Sequence, residues 1–164
     1  MTRKLFTSHL SGMVLIAALS VLLVTILGRL LTVQNLQSAC AQWPLCVPTN
    51  FAGWVALAHR IATVFAGLAM LWLFFSAWKN YRHSMRVLPL VTVIAVAYFG
   101  EALIGSIQVT RAFPLPLIVL HAVTAALLWL GFAALIILSA VDSVQPVDFP
   151  RVGFGNRFRD FMTL

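Results

Sequence analysis

Four long apolar runs constrain the fold of this chain more than any other feature of its sequence. Each run reaches the roughly 20 residues that an α-helix needs to cross about 30 Å of hydrocarbon. The runs are apolar on all sides and lack the alternating polarity of membrane β-strands; they cover about residues 10–32, 53–78, 87–110 and 115–141. The sequence therefore predicts an all-α integral membrane protein in which residues 1–164 form a single four-helix bundle.

The distribution of basic residues predicts the orientation of this bundle. The chain is 62% hydrophobic and 9% charged, with a net charge of +7 and a mean hydropathy of +0.99. Eight of its eleven Lys and Arg residues share one side, which the positive-inside rule makes cytoplasmic; they are Arg3, Lys4, Lys79, Arg82, Arg86, Arg151, Arg157 and Arg159. We therefore expect both termini to be cytoplasmic and the loop over 33–52 to face outward. The positive charge then suits anionic membrane lipid and requires no nucleic acid.

The segment after the fourth run, residues 142–164, is predicted to be a cytoplasmic tail. Phe154, Phe158 and Phe161 stand at helical spacing with charged residues between them. This pattern is typical of a short amphipathic helix on the membrane surface. Two nearby glycines weaken a helix, so a solvated or partner-docked tail stays open as the alternative.

Two histidines fall at nearly the same depth in different spans. His59 lies about five residues inside span two and His121 about six inside span four, roughly 8 to 10 Å below the outer interface at 1.5 Å per residue. Two imidazoles on different helices at one level can bind a haem iron from opposite faces. We therefore predict that His59 and His121 ligate a haem, of b, O or A type; two unrelated, hydrogen-bonded histidines are the alternative.

Three arginines fall on the outer side, where the positive-inside rule disfavours them. They are Arg29, Arg60 and Arg111. The two propionates of a haem at the level of the histidines would supply negative charge and a bidentate partner for a guanidinium. We therefore expect these arginines to contact the haem; snorkelling to lipid phosphates is the alternative, above all for Arg29 and Arg111.

Glu101, in the third run, is the single acidic residue within the predicted spans. A carboxyl group inside a membrane is costly and indicates a function by default. Glu101 is therefore a candidate catalytic residue. Its side chain is expected to approach the histidine cavity, to pair with Arg60 or to stay protonated, and a neutral structural role is the alternative.

Two cysteines, Cys40 and Cys46, bracket the outer loop in the motif CAQWPLC. In an oxidising compartment outside a bacterial cytoplasmic membrane, a disulfide would close this loop. Two cysteines supply only half of a structural zinc site, and the outer loops contain no histidine. We predict a disulfide, with a structural role favoured over a redox role.

Several motifs in this order point to one family. The segment GRLLTVQNLQSACAQWPLC leads out of span one, AHR lies early in span two, EALIGSIQV lies in span three and LHAVTAALL opens span four. Together they cover most of residues 28–130, and this arrangement resembles the haem A synthase family. The resemblance implies a membrane oxidoreductase that converts the methyl group of haem O to the formyl group of haem A for cytochrome oxidase assembly. Most members have eight helices in two similar halves, each with a histidine pair for a haem, and this chain resembles one half.

The chain departs from the family pattern at Ala56. Catalytic halves of the family carry E-x-x-H-R, with a Glu three residues before the helix-two histidine, whereas this chain reads WVALAHR. The resemblance thus implies a retained haem site without the catalytic carboxylate. Glu101 stands where relatives often carry Gln, and it is a candidate substitute.

Three functions remain open at this stage. The first is a haem-binding, non-catalytic relative used for haem handling or electron transfer. The second is an active half-size haem A synthase with altered catalytic residues. The third is an accessory subunit of a larger respiratory or photosynthetic membrane complex. In each case we expect a homo-oligomer or a partner complex in a bacterial-type cytoplasmic membrane.

Overall fold

The described part of the chain folds into four long α-helices. The computed structural model describes residues 8–34, 36, 39–40, 42, 46–110 and 115–144. The helices are α1 (Ser8–Val33), α2 (Phe51–Tyr81), α3 (Val87–Thr110) and α4 (Leu115–Val144), and each is long and apolar enough to cross a membrane. The predicted all-α fold with four membrane-spanning helices is confirmed. Arg111 and the tail beyond residue 144 lie outside the described residues.

Side-chain caps fix where two of the helices begin. The side chain of Asn50 accepts a hydrogen bond from the backbone N–H of Gly53 over 2.8 Å at the start of α2. The hydroxyl of Ser84 accepts from the backbone N–H of Val87 over 3.1 Å at the start of α3. Such caps satisfy backbone donors that have no partner within the helix. The Asn50 cap therefore fixes the start of α2, and His59 follows eight residues after Phe51.

The helices pack as an antiparallel ring in chain order. α1 packs on α2, α2 on α3, α3 on α4, and α4 returns to α1 with the smallest contact. Tyr98 of α3 donates a hydrogen bond to the carbonyl oxygen of Thr63 in α2 over 2.6 Å. Within the described residues, α2 and α4 lie diagonally opposite each other and make no close backbone contact. A side chain on α2 and one on α4 can therefore face the same interior space.

The packed apolar core fills one half of the bundle, the half with the start of α1 and the α2–α3 loop. Its largest fully buried side chains are Leu10, Met70, Leu73, Ile94, Phe132 and Leu135. The other half differs, because the described side chains over 99–107 of α3 and 115–127 of α4 include none that is fully buried. A smaller cluster there joins α1, α2 and the cysteine loop; it consists of Leu31, Cys40, Val55 and Ala56. Among the described side chains, the large fully buried apolar residues are therefore concentrated in one half of the bundle.

Gly131 sets the close approach of α4 to α3, and it gives a test of this packing. A Cβ atom on Gly131 would lie 2.5 Å from Cγ1 of Ile94, whereas a Cβ on Gly12 would meet nothing within 4 Å. We expect Gly131→Ala to lower the free energy of unfolding by about 1–3 kcal/mol, since an overpacked core must shift. Gly12→Ala is the matched control and is expected to leave stability equal or higher.

The measurement is unfolding of the detergent-solubilised protein by a denaturing detergent, followed by circular dichroism. Equal stability of the two variants would contradict the close α3–α4 packing.

Candidate functional site

His59 rests against α1 at a position without a side chain. Its Nδ1 lies 3.1 Å from the carbonyl oxygen of Val24, and since a carbonyl only accepts, Nδ1 carries the proton and donates. A Cβ atom on Gly28 would lie 3.1 Å from Cε1 of His59, so glycine makes room for the imidazole. In this neutral tautomer the second ring nitrogen, Nε2, keeps its lone pair.

His121 meets the carboxyl group of Glu101 in a close contact between α4 and α3. Nδ1 of His121 lies 2.6 Å from Oε2 of Glu101, and the two side chains are 40% and 11% exposed. The ring nitrogen is not aligned for a hydrogen bond at this position, and Oε1 of Glu101 is buried with no hydrogen-bond partner in the described part of the chain. Nδ1 is nevertheless the ring atom turned toward an oxygen acceptor, as in His59.

The two histidines lie at one level of the bundle. The Tyr98–Thr63 hydrogen bond joins α3 and α2 at a common height. His59 lies four residues from Thr63 along α2, which is about 6 Å closer to the cysteine loop. Glu101 lies three residues from Tyr98 along α3, which is about 4.5 Å closer to the same loop. Because Glu101 contacts His121, both imidazoles lie within a few ångströms of the same level.

The described side chains of α3 and α4 near this level include none that is fully buried. On the interior face of α3, Gly105 borders open space, with nothing within 4 Å of an added Cβ atom. Gly105 follows Glu101 by one turn and lies on the same face of α3. The separation of α2 from α4, the lack of fully buried side chains among the described residues 99–107 and 115–127, and the open space at Gly105 all favour room at the level of the histidines.

Arg60 holds the cysteine loop. One terminal nitrogen of its guanidinium donates to the carbonyl oxygen of Gln42 over 2.5 Å, and the other donates to the carbonyl oxygen of Cys40. A disulfide joins Cys40 to Cys46, with their Cα atoms 5.7 Å apart. The structure thus gives Arg60 backbone partners that the sequence analysis did not anticipate, and it pairs Glu101 with His121 rather than with Arg60.

Arg29, Arg111 and Ala56 are the remaining residues that the sequence analysis singled out. Arg29 is exposed on α1, and Arg111 lies outside the described residues. Ala56 is buried within the small cluster formed with Leu31, Cys40 and Val55. Among the described residues, no group of three or more His, Cys, Asp and Glu side chains is placed to hold a bare metal ion.

A separate groove of about 490 Å³ runs between α1 and α2 on the outside of the bundle. Its walls are almost entirely apolar and contain neither histidine; they are formed by Ser20, Leu23, Leu27, Ala58, Ile61, Ala62 and Phe65. Exposed Ile61 and Phe65 show that this side of α2 faces away from the bundle interior. The groove is therefore separate from the histidine site and is suited to lipid chains.

The sequence analysis missed the groups that orient the histidines. The acceptor for His59 is a backbone carbonyl, which has no sequence signal of its own. Gly28 offered a partial signal, since a glycine within a membrane span often marks a close helix approach. The Glu101–His121 contact required the register of α3 against α4, which the sequence does not state.

Curated proteins with similar sequences are named for haem chemistry. Heme A synthase from Staphylococcus carnosus is 33% identical over 89 residues, which cover 50% of this chain and 29% of that protein. Heme A synthase from Alkalihalophilus pseudofirmus is 26% identical over 156 residues, covering 91% and 52% respectively. These similarities support the haem A synthase family.

A third relative, Protoheme IX farnesyltransferase from Haloquadratum walsbyi, is 27% identical over 127 residues, covering 74% of this chain and 26% of that protein. The chain spans about half the length of these relatives or less. No protein-family model and no solved structure matches it. With the four membrane-spanning helices, the similarities support a haem-related multi-pass membrane protein.

The contacts of Arg60 with the cysteine loop lead to a prediction about how fast the Cys40–Cys46 disulfide is reduced. In Arg60→Lys the compact ammonium cannot reproduce the forked donation to two carbonyl oxygens. Losing one hydrogen bond to a charged group costs about 1.5 kcal/mol, so we expect the Cys40–Cys46 disulfide to be reduced about tenfold faster by dithiothreitol. The rate is measured by maleimide labelling of the released thiols. Arg29→Lys, at an exposed position on α1, is the control, and equal rates in the two variants would contradict the role of Arg60.

Proposed function

We propose that this protein is a haem-A-synthase-like membrane protein that binds one haem between His59 and His121. The observation that carries the proposal is the common orientation of the two imidazoles. Each turns Nδ1 toward an oxygen acceptor, Val24 O or the Glu101 carboxyl. Each therefore keeps Nε2 for a ligand, the arrangement that outer partners impose on metal-binding histidines.

The surroundings of the histidines fit a haem better than a bare ion. A porphyrin supplies four nitrogen ligands itself, so two protein imidazoles complete the coordination of its iron. The lack of fully buried side chains at this level of α3 and α4 supports room for a flat macrocycle, as does the open space beside Gly105. When bound, a haem would supply one-electron chemistry at its iron.

We further propose that the site lacks haem O oxidation activity. The position at which catalytic relatives carry Glu is Ala56, which is buried against Leu31 and Cys40. The carboxyl group present at the site comes from Glu101 on another helix and contacts His121, not His59. The proposed role is therefore haem handling or electron transfer.

The proposed orientation has both termini in the cytoplasm and the disulfide loop outside. Lys79, Arg82 and Arg86 support it, because all three are exposed at the end of the bundle opposite the loop. We also propose that the protein functions as a homo-oligomer or as a subunit of a larger membrane complex. Support comes from the apolar side chains exposed on all four helices, such as Leu19, Phe65, Val96 and Leu130.

The test of haem binding is a reduced-minus-oxidised absorption spectrum of the purified chain, followed by pyridine extraction to identify the haem. We expect a low-spin spectrum typical of two histidine ligands, lost in His59→Ala and in His121→Ala because each variant removes one axial ligand. His9→Ala and His83→Ala are the matched controls, since both histidines are exposed at the other end of the bundle. A gently extracted protein without haem would refute the proposal and favour a purely structural subunit.

Ala56→Glu tests the loss of the catalytic carboxylate. We expect the wild-type chain to form no haem A in cells that lack their own haem A synthase. If Ala56 alone blocks the chemistry, Ala56→Glu raises haem A above the background, as measured by extraction and chromatography of cellular haems. Ala56→Gln, which has the same size without the charge, is the control. Haem A formation by the wild-type chain would contradict the proposed absence of activity.

A further inference from the structure

We infer that Glu101 is a positioning residue that sets the tautomer of His121 and makes it the stronger donor of the two axial ligands. The tautomer depends on the Glu101–His121 contact alone, whereas the ligand role rests on the haem site proposed above. The two parts are therefore separable by experiment.

Glu101 is a nearly buried carboxyl group whose side chain contacts His121. Its side chain is only 11% exposed, it is the one acidic or basic residue of α3, and its Oε2 lies 2.6 Å from Nδ1 of His121. A carboxyl group in such surroundings is costly unless a partner compensates it. In the part of the chain that the structure describes, His121 is the one ion-pair partner of Glu101. Glu101 is thus positioned to act through His121.

The geometry also identifies which ring atom is controlled. Carboxylate oxygens accept hydrogen bonds, so a carboxylate beside Nδ1 favours the proton on that nitrogen. A neutral histidine without such a partner prefers the proton on Nε2, which would block that atom as a ligand. Thr124, one turn further along α4, does not compete, because its hydroxyl donates to the backbone oxygens of Leu120 and His121.

The two histidines differ in the chemical class of their acceptors. His59 donates to a neutral backbone carbonyl, that of Val24, whereas His121 faces a carboxyl group. A charged acceptor makes a stronger hydrogen bond than a neutral one and raises the basicity of the imidazole more. His121 is then the stronger donor to iron, and a bound haem is held more firmly in its ferric state.

The experiment uses the full chain labelled with ¹⁵N-histidine, in detergent micelles, before and after addition of haem. Imidazole ¹⁵N shifts report the tautomer of each of the four histidines, assigned by the His→Ala variants. The variants compared are Glu101→Ala, which removes the acceptor, and Glu101→Gln, which keeps an oxygen acceptor without the charge. Thr124→Val is the matched control on α4, and the His59 signals are the internal control.

In the wild-type chain without haem we expect His121 in the Nδ1–H form. Glu101→Ala is expected to move it toward the Nε2–H form and to weaken haem binding about 10- to 100-fold, as loss of such a partner does at metal sites. Glu101→Gln is expected to keep the tautomer and most of the affinity, but to raise the midpoint potential of the bound haem. Thr124→Val and the His59 signals are expected to stay unchanged.

An unchanged His121 tautomer in Glu101→Ala would overturn the inference, whether or not haem binds. A midpoint potential equal in wild type and Glu101→Gln would overturn the claim that His121 is the stronger donor. A wild-type chain that takes up no haem would instead refute the proposed function, while the tautomer readout would still decide the role of Glu101.

Discussion

Every polar group inside a lipid bilayer must find a partner within the protein, and this requirement governs the structure. The backbone meets it by forming four helices. Hydroxyl side chains such as those of Ser20 and Thr63 meet it within their own helix, and other polar side chains reach across helices. His59 donates to Val24, Tyr98 donates to Thr63, and Glu101 faces His121. These contacts tie each helix to a neighbour at or near one level, which the apolar pattern of the spans alone would not specify.

The two halves of the bundle differ in how their described side chains pack. In one half, large apolar side chains such as Phe132 and Met70 are fully buried. In the other half, glycines and polar contacts replace that packing, and the disulfide loop held by Arg60 lies at the end of the bundle. The apolar core on one side of the histidines and the loop held by Arg60 on the other would stabilise the fold. The region between them would then tolerate space for a ligand.

Individual residues illustrate which structural features could be predicted from the sequence. The helices were predictable because about 20 apolar residues have one stable conformation in a membrane. The common depth of His59 and His121 followed from their distances to the span ends. The partner of Arg60 did not follow, because the carbonyl oxygens of Cys40 and Gln42 are invisible in a side-chain pattern. The partner of Glu101 did not follow either, since several cations and imidazoles were equally compatible with its depth.

The sequence by itself determined that this chain is an all-α membrane protein with two histidines and one acidic residue inside its spans. Hydrophobic length and residue depth are local properties, so they can be read along the chain. Only the tertiary structure decided which groups meet, namely the Val24 carbonyl with His59, and Glu101 with His121. Those pairings depend on helix rotation and register, which close contacts such as Gly28 against His59 and Gly131 against Ile94 fix.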